Sequence, residues 1–76
     1  MSEPAVLNWE RVMHKNVRSK DMVDVGTIIA DDADTVTIYK GSGREYKVPK
    51  MLVEGFNGAE VSLNLLYKEL SAYKIQ

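Results

Sequence analysis

Alternation is the clearest signal along this chain. In Thr35-Val36-Thr37-Ile38-Tyr39, Val36 and Ile38 fall on one face and Thr35, Thr37 and Tyr39 on the other. That period of two marks a half-buried strand. Arg44 to Pro49 repeats it, with Tyr46 and Val48 inward and Glu45 and Lys47 outward. Pro49 lacks an N–H and closes that strand. Between the two, Gly41-Ser42-Gly43 reads as a short hairpin loop. Ala59 to Leu63 alternates again, with Ala59, Val61 and Leu63 inward. Two further strands are predicted upstream. One runs from Val12 to Ser19 and ends in the polar turn Ser19-Lys20-Asp21. The other runs from Val23 to Ala30, where Val23, Val25, Ile28 and Ile29 favour extended backbone. Gly26 interrupts it, which signals a bulge or a close backbone approach. Asp31 to Asp34 and Gly55-Phe56-Asn57-Gly58 read as turns, and Lys50 to Val53 as one helical turn. Asn64 is the candidate N-cap of a helix from Leu65 to Tyr73, with Leu66, Leu70 and Tyr73 at i, i+4 and i+7.

Short strands separated by turns at this spacing predict a mainly all-β domain. The expected fold is a small barrel of about five to six short antiparallel strands, closed by one C-terminal α-helix. Residues 1–8 are expected to be a flexible lead-in, 9–64 the barrel and 65–76 the helix packed on it. Val25, Ile38, Val48, Val61 and Leu63 are the predicted interior.

Composition narrows the function classes. The 76 residues make one small domain, 45% hydrophobic and 28% charged, with a net charge of −1. That balance gives no strongly basic nucleic-acid surface. The absence of cysteine removes disulfides, thiolate metal sites and cysteine nucleophiles. The single histidine, His14, removes schemes that need two. No apolar run reaches the 18 or more residues of a membrane span, and the first ten residues lack a secretory pattern. A cytoplasmic location is the expectation. A chain this short gains from burying further apolar area, so a homodimer is also expected.

Four clusters invite a chemical reading, and each has a plainer one. Asp31, Asp32 and Asp34 are carboxylates of the type that bind Ca²⁺ or Mg²⁺. The EF-hand spacing is absent, and a solvated turn accounts for them. Gly41-Ser42-Gly43-Arg44 lacks the pattern of a phosphate loop and is flanked by strands. His14 has no nucleophile in a recognisable elbow beside it. His14, Lys15, Arg18 and Lys20, with Trp9 nearby, could contact RNA phosphates and bases. Asp21 and Asp24 follow directly and offset that charge. No catalytic, cofactor or metal residue is assigned.

The ordered set of segments resembles the PRC-barrel family. The carrying residues are Asn16-Val17-Arg18-Ser19, the turn Lys20-Asp21, Val25-Gly26 before Thr27-Ile28-Ile29-Ala30, Val36-Thr37-Ile38, Tyr46-Lys47-Val48-Pro49 with Val53, and Gly58-Ala59-Glu60-Val61. They cover roughly Val12 to Asn64. The wording is most similar to small archaeal single-domain members, a group that includes cell-division proteins. The family also includes the cytoplasmic domain of the photosynthetic reaction-centre H subunit and the C-terminal domain of the ribosome-maturation factor RimM. The first turn departs from the family, which often has Asp-Gly where this chain has Asp21-Met22.

The resemblance implies a non-enzymatic module that holds or recruits another protein, without cofactor. A small RNA- or ribosome-associated factor, by analogy with RimM, is the alternative. The candidate protein interface is Trp9, Thr37, Tyr39 and Phe56, aromatics and a neutral neighbour of the kind enriched in interface cores.

Overall fold

The computed structural model describes residues 8–75, so the predicted lead-in lies, except for Asn8, outside the described residues. Six strands form one sheet: β1 (Asn16–Arg18), β2 (Asp24–Asp31), β3 (Thr35–Gly41), β4 (Arg44–Pro49), β5 (Val53–Phe56) and β6 (Glu60–Leu63). Their order is β4-β3-β2-β1-β6-β5. Three 3₁₀ segments, Trp9–Val12, Lys50–Leu52 and Tyr67–Tyr73, complete the fold.

The two outer strands, β4 and β5, are joined by Lys50–Leu52 alone. In a flat sheet five strand spacings of about 4.8 Å would hold them roughly 24 Å apart. The four peptide steps from Pro49 to Val53 reach at most about 14 Å. The sheet therefore has to coil. The fold accordingly has a nearly round cross-section of 22 × 21 Å. Every strand turns residues to the concave side: Val17 from β1, Val25 and Ile28 from β2, Val36 and Ile38 from β3, Tyr46 and Val48 from β4, Val53 from β5, Val61 and Leu63 from β6. Val12, Leu65 and Leu70 close the ends of this core. All five predicted interior residues are fully buried.

The expected barrel is corrected in two respects. The ladder does not close: among the described residues β4 and β5 are not paired. The outer edge of β4 is instead taken by the end of the chain, where Lys74 bridges Tyr46 antiparallel and the Ile75 N–H donates to the Glu45 carbonyl at 2.9 Å. Nor is the sheet wholly antiparallel, since β1 and β6 pair in parallel, Val17 opposite Val61. Parallel neighbours need a long crossover, and the whole of β2 to β5 supplies it.

Bulges set which side chains face in. On β2, Asp24 is opposite Arg18 and Gly26 is opposite Val17, so Val25 is an extra residue. A bulge of this kind puts both of its residues on one side, and Val25 and Gly26 are both buried. Gly26 has φ +128°, and a Cβ there would overlap the Tyr39 carbonyl and sit 2.9 Å from Lys40 Cα. This is the close approach predicted for it. A second bulge makes Ile29 the extra residue between the Ile28–Ile38 and Ala30–Thr37 pairs. Such bulges bend a strand and increase its twist, which a coiled sheet requires.

Several element limits differ from expectation for local reasons. Val12 belongs to the first 3₁₀ segment, and His14, at φ 65°, breaks the chain before β1 begins. Residues Val53–Phe56 form β5, so the predicted turn shifts to Asn57–Ala59. There Asn57 Oδ1 accepts from the N–H groups of Ala59 (2.9 Å) and Glu60 (2.8 Å), and Ala59 is exposed rather than inward. Met22 takes φ 66°, the conformation a glycine would supply in the β1–β2 turn.

The C-terminal helix is 3₁₀, not α. It starts after Leu66, whose N–H is capped by Glu69 Oε1 at 2.7 Å, and Asn64 does not cap it. Seven residues are too few for a stable α-helix, and three-residue turns suit short pieces. With three residues per turn the buried stripe becomes Tyr67, Leu70 and Tyr73, all packed on the core, in place of Leu66, Leu70 and Tyr73.

Ile38 is fully buried in the middle of β3. Ile38→Ala is expected to cost about 2–5 kcal/mol, read as a lower urea midpoint. Gly26→Ala, forced into both a clash and a positive φ, is expected to destabilise as well, whereas Gly43→Ala meets open space and suffers only the backbone term.

Candidate protein-contact face

The convex side of the sheet is divided by chemistry. Across β1 and β6 it is polar and paired. Arg18 Nε meets Glu60 Oε2 at 2.8 Å, Asn16 Nδ2 donates to the same oxygen at 3.4 Å, and Arg18 Nη1 donates to the Met22 carbonyl at 3.2 Å. Beyond β3, β4 presents Glu45 and Lys47. Between these charged margins lie Thr27, Ile29 and Ala30 of β2 and Thr37 and Tyr39 of β3.

Register brings this neutral set together. Tyr39 is opposite Thr27, and Thr37 is opposite Ala30. Both residues of the second bulge, Ile29 and Ala30, sit on the side of Thr37, facing water. Ile29 is 40% and Tyr39 41% exposed, while Val36 and Ile38 on the same strand as Tyr39 are fully buried. With Ile28 inward, alternation turns Ile29 outward, and the bulge adds Ala30 to the same side.

The four residues expected at an interface separate. Thr37 and Tyr39 lie side by side on the convex face. Trp9 and Phe56 are half-buried against the core on the other side of the sheet. Trp9 carries the Lys50 ammonium over its ring at 4.7 Å, and Lys50 also binds Asp31 Oδ2 at 3.0 Å. Ile29 is the residue the sequence reading did not assign to this face. Its signal was the consecutive pair Ile28-Ile29, which no unbulged strand can place on one face.

The other clusters resolve into structural contacts. Asp31 binds Lys50, Asp32 lies 3.3 Å from Lys47 and accepts from Thr35 Oγ1, and the Asp34 carbonyl accepts from the Lys50 N–H at 2.7 Å. Among the described residues no three His, Asp or Glu side chains are placed to hold a metal ion. Ser42-Gly43 is a two-residue hairpin turn with both φ positive. Lys40, looped out of register beside it, donates to the Asp24 carbonyl at 2.7 Å. His14 is exposed at its break in the chain. No helix among the described residues is long and apolar enough to cross a membrane.

One carboxylate links the β1–β2 turn to the C-terminal helix. Asp21 Oδ1 accepts from the Ser19 hydroxyl and from the Tyr67 N–H at 3.0 Å. Beside it the Lys20 N–H donates to the Leu65 carbonyl at 2.7 Å. The Ser19 hydroxyl, and then the Tyr67 N–H, hold the Asp21 carboxyl below its ordinary value of 3.8 despite partial desolvation.

No protein-family model, curated protein or solved structure matches this chain. The reading of the site rests on its geometry.

A carboxyl whose folded pKa is depressed adds stability above its unfolded value and loses it as the pH falls through the folded one. The Asp21 contribution is therefore complete at neutral pH and fades below about pH 4. Asp21→Asn is expected to be less stable at neutral pH and to lose less further stability on acidification than the parent. Urea midpoints of both proteins across the acid range measure this.

Proposed function

We propose that this chain is a non-enzymatic protein-interaction module of the PRC-barrel kind, in an open coiled form, and that it grips its partner through the convex face of β2 and β3. The observation that carries this reading is the outward placement of Ile29 and Tyr39 on neighbouring strands, among Thr27, Ala30 and Thr37. Large apolar side chains at the centre of a sheet face, rimmed by charge, suit a protein contact. The core does not need them, since its own residues are supplied by the concave side.

The net charge of −1 favours a protein partner over RNA, and four of the ten cations are already paired. Arg18, Lys40, Lys47 and Lys50 each lie within 4.0 Å of a carboxylate. Phosphate contacts would have to compete with those carboxylates. The family resemblance supports the same class of role, although fold alone does not assign function.

Tyr39→Glu places an unpaired charge in the contact, at a position where the side chain carries little of the fold. It is expected to weaken partner binding by on the order of tenfold or more, about 1.4 kcal/mol, with an unchanged circular dichroism spectrum. Affinity capture from the native cells, followed by mass spectrometry, compares the two baits. Identical protein yields with both would remove this face from the interface. Recovery of RNA whose retention falls steeply with salt would favour the alternative factor.

A further inference from the structure

The contact that ends the chain points to a second surface, distinct from the convex face. Glu45 of β4 offers its carbonyl to the outer edge, and Ile75 takes it with its N–H at 2.9 Å. Lys74 then lies opposite Tyr46, antiparallel. These two residues act as a minimal edge strand. Their side chains contribute little to the core: Lys74 is exposed and Ile75 is 53% exposed. What they cover is main chain, and an uncovered edge is a template for another strand.

The sequence of β4 matches itself in the same register. A second β4, laid antiparallel about a two-fold axis through Tyr46, would place Tyr46 where Lys74 now stands. It would place Lys47 of the copy where Ile75 stands, with its N–H toward the Glu45 carbonyl. Backbone groups at positions 45 and 47 face the same edge, so the ladder repeats on both sides of the axis. Glu45 of each chain would then face Lys47 of the other, an opposite-charge pair made twice. The contact would be isologous and would close at two chains.

We propose that Tyr73–Ile75 is an autoinhibitory strap over β4, and that its release lets β4 pair with β4 of a second copy in the register centred on Tyr46. At its tip the strap holds by the Ile75 N–H on the Glu45 carbonyl, while Tyr67 and Leu70 anchor the helix behind it. The copy's Glu45 would stand opposite Lys47, where Tyr73 now stands, so release lifts Tyr73 with Lys74 and Ile75 and leaves Tyr67 and Leu70 on the core.

The test uses the full chain. Ile75→Pro deletes the N–H that reaches Glu45. It is expected to shift the mass in solution from one chain to two as concentration rises, at concentrations where the parent is one chain, by sedimentation or light scattering. Adding Glu45→Lys sets like charges opposite each other and should return the variant to one chain. Adding Lys47→Glu to that should restore two. An Ile75→Pro protein that remains folded and single at every concentration, or that associates regardless of the charge at position 45, overturns the proposal. If Ile75→Pro unfolds, Glu45→Cys with Lys47→Cys and an intact tail reads the same register. Neighbours two apart on a strand are too far to bridge within one chain. Mild oxidation should trap covalent dimers, and more of them than Glu45→Cys alone; equal or no trapping overturns the proposal.

Discussion

Three residues between Pro49 and Val53 govern the architecture. They connect strands that stand at opposite ends of the hydrogen-bonded order, and no flat sheet spans that gap. Coiling satisfies the connection and gives a 76-residue chain one shared interior lined from all six strands. Bulges in β1–β2 and β2–β3 supply the bend, and Gly26 permits the tight approach to β3. The same link carries Lys50, which ties the coil at this end through Asp31, Trp9 and the Asp34 carbonyl. The link acts mainly through chain geometry, with the partly buried Lys50–Asp31 pair as an added tie.

Coiling also decides what is left outside. The concave side collects the apolar residues, and the convex side carries the remainder, sorted by strand. The Arg18–Glu60 ion pair covers β1 and β6, and β4 carries the charges at its margin. The neutral strip on β2 and β3 is the part of this surface without a structural task of its own. The incomplete closure leaves β4 with an edge, and Lys74 and Ile75 cover it. Surface chemistry and the open seam are thus both consequences of how the sheet is wound.

Much of this was legible in the residues. β3, β4 and β6 follow strict alternation, and their inward residues were assigned correctly, Ala59 before β6 excepted, because no bulge lies within their alternating stretches. β2 was legible as a strand with Val25 inside, but not in the facing of its other residues. Its inward residues, Val25 and Ile28, are three apart because a bulge shifts the phase, and alternation alone has no way to register an extra residue. The outward Ile29 was missed for the same reason. β5 was hidden because Gly55 and Asn57 look like turn residues, although only the second makes the turn. The helix stripe was misassigned by one residue because a period of 3.6 was applied where the period is three. Parallel pairing of β1 with β6 left no local trace, since it joins residues more than forty positions apart. Of the interface residues, Tyr39 and Thr37 were readable from alternation, while the half-burial of Trp9 and Phe56 depends on tertiary packing.

The central claim is an open coil, with β1 and β6 joined in parallel and a seam between β4 and β5. Backbone NMR tests it most directly, through cross-strand nuclear Overhauser contacts at residue resolution. The account predicts the parallel-ladder contacts of Asn16, Val17 and Arg18 with Glu60, Val61 and Ser62, and none between Arg44–Pro49 and Val53–Phe56. A continuous β4–β5 ladder, or the absence of β1–β6 contacts, would contradict it.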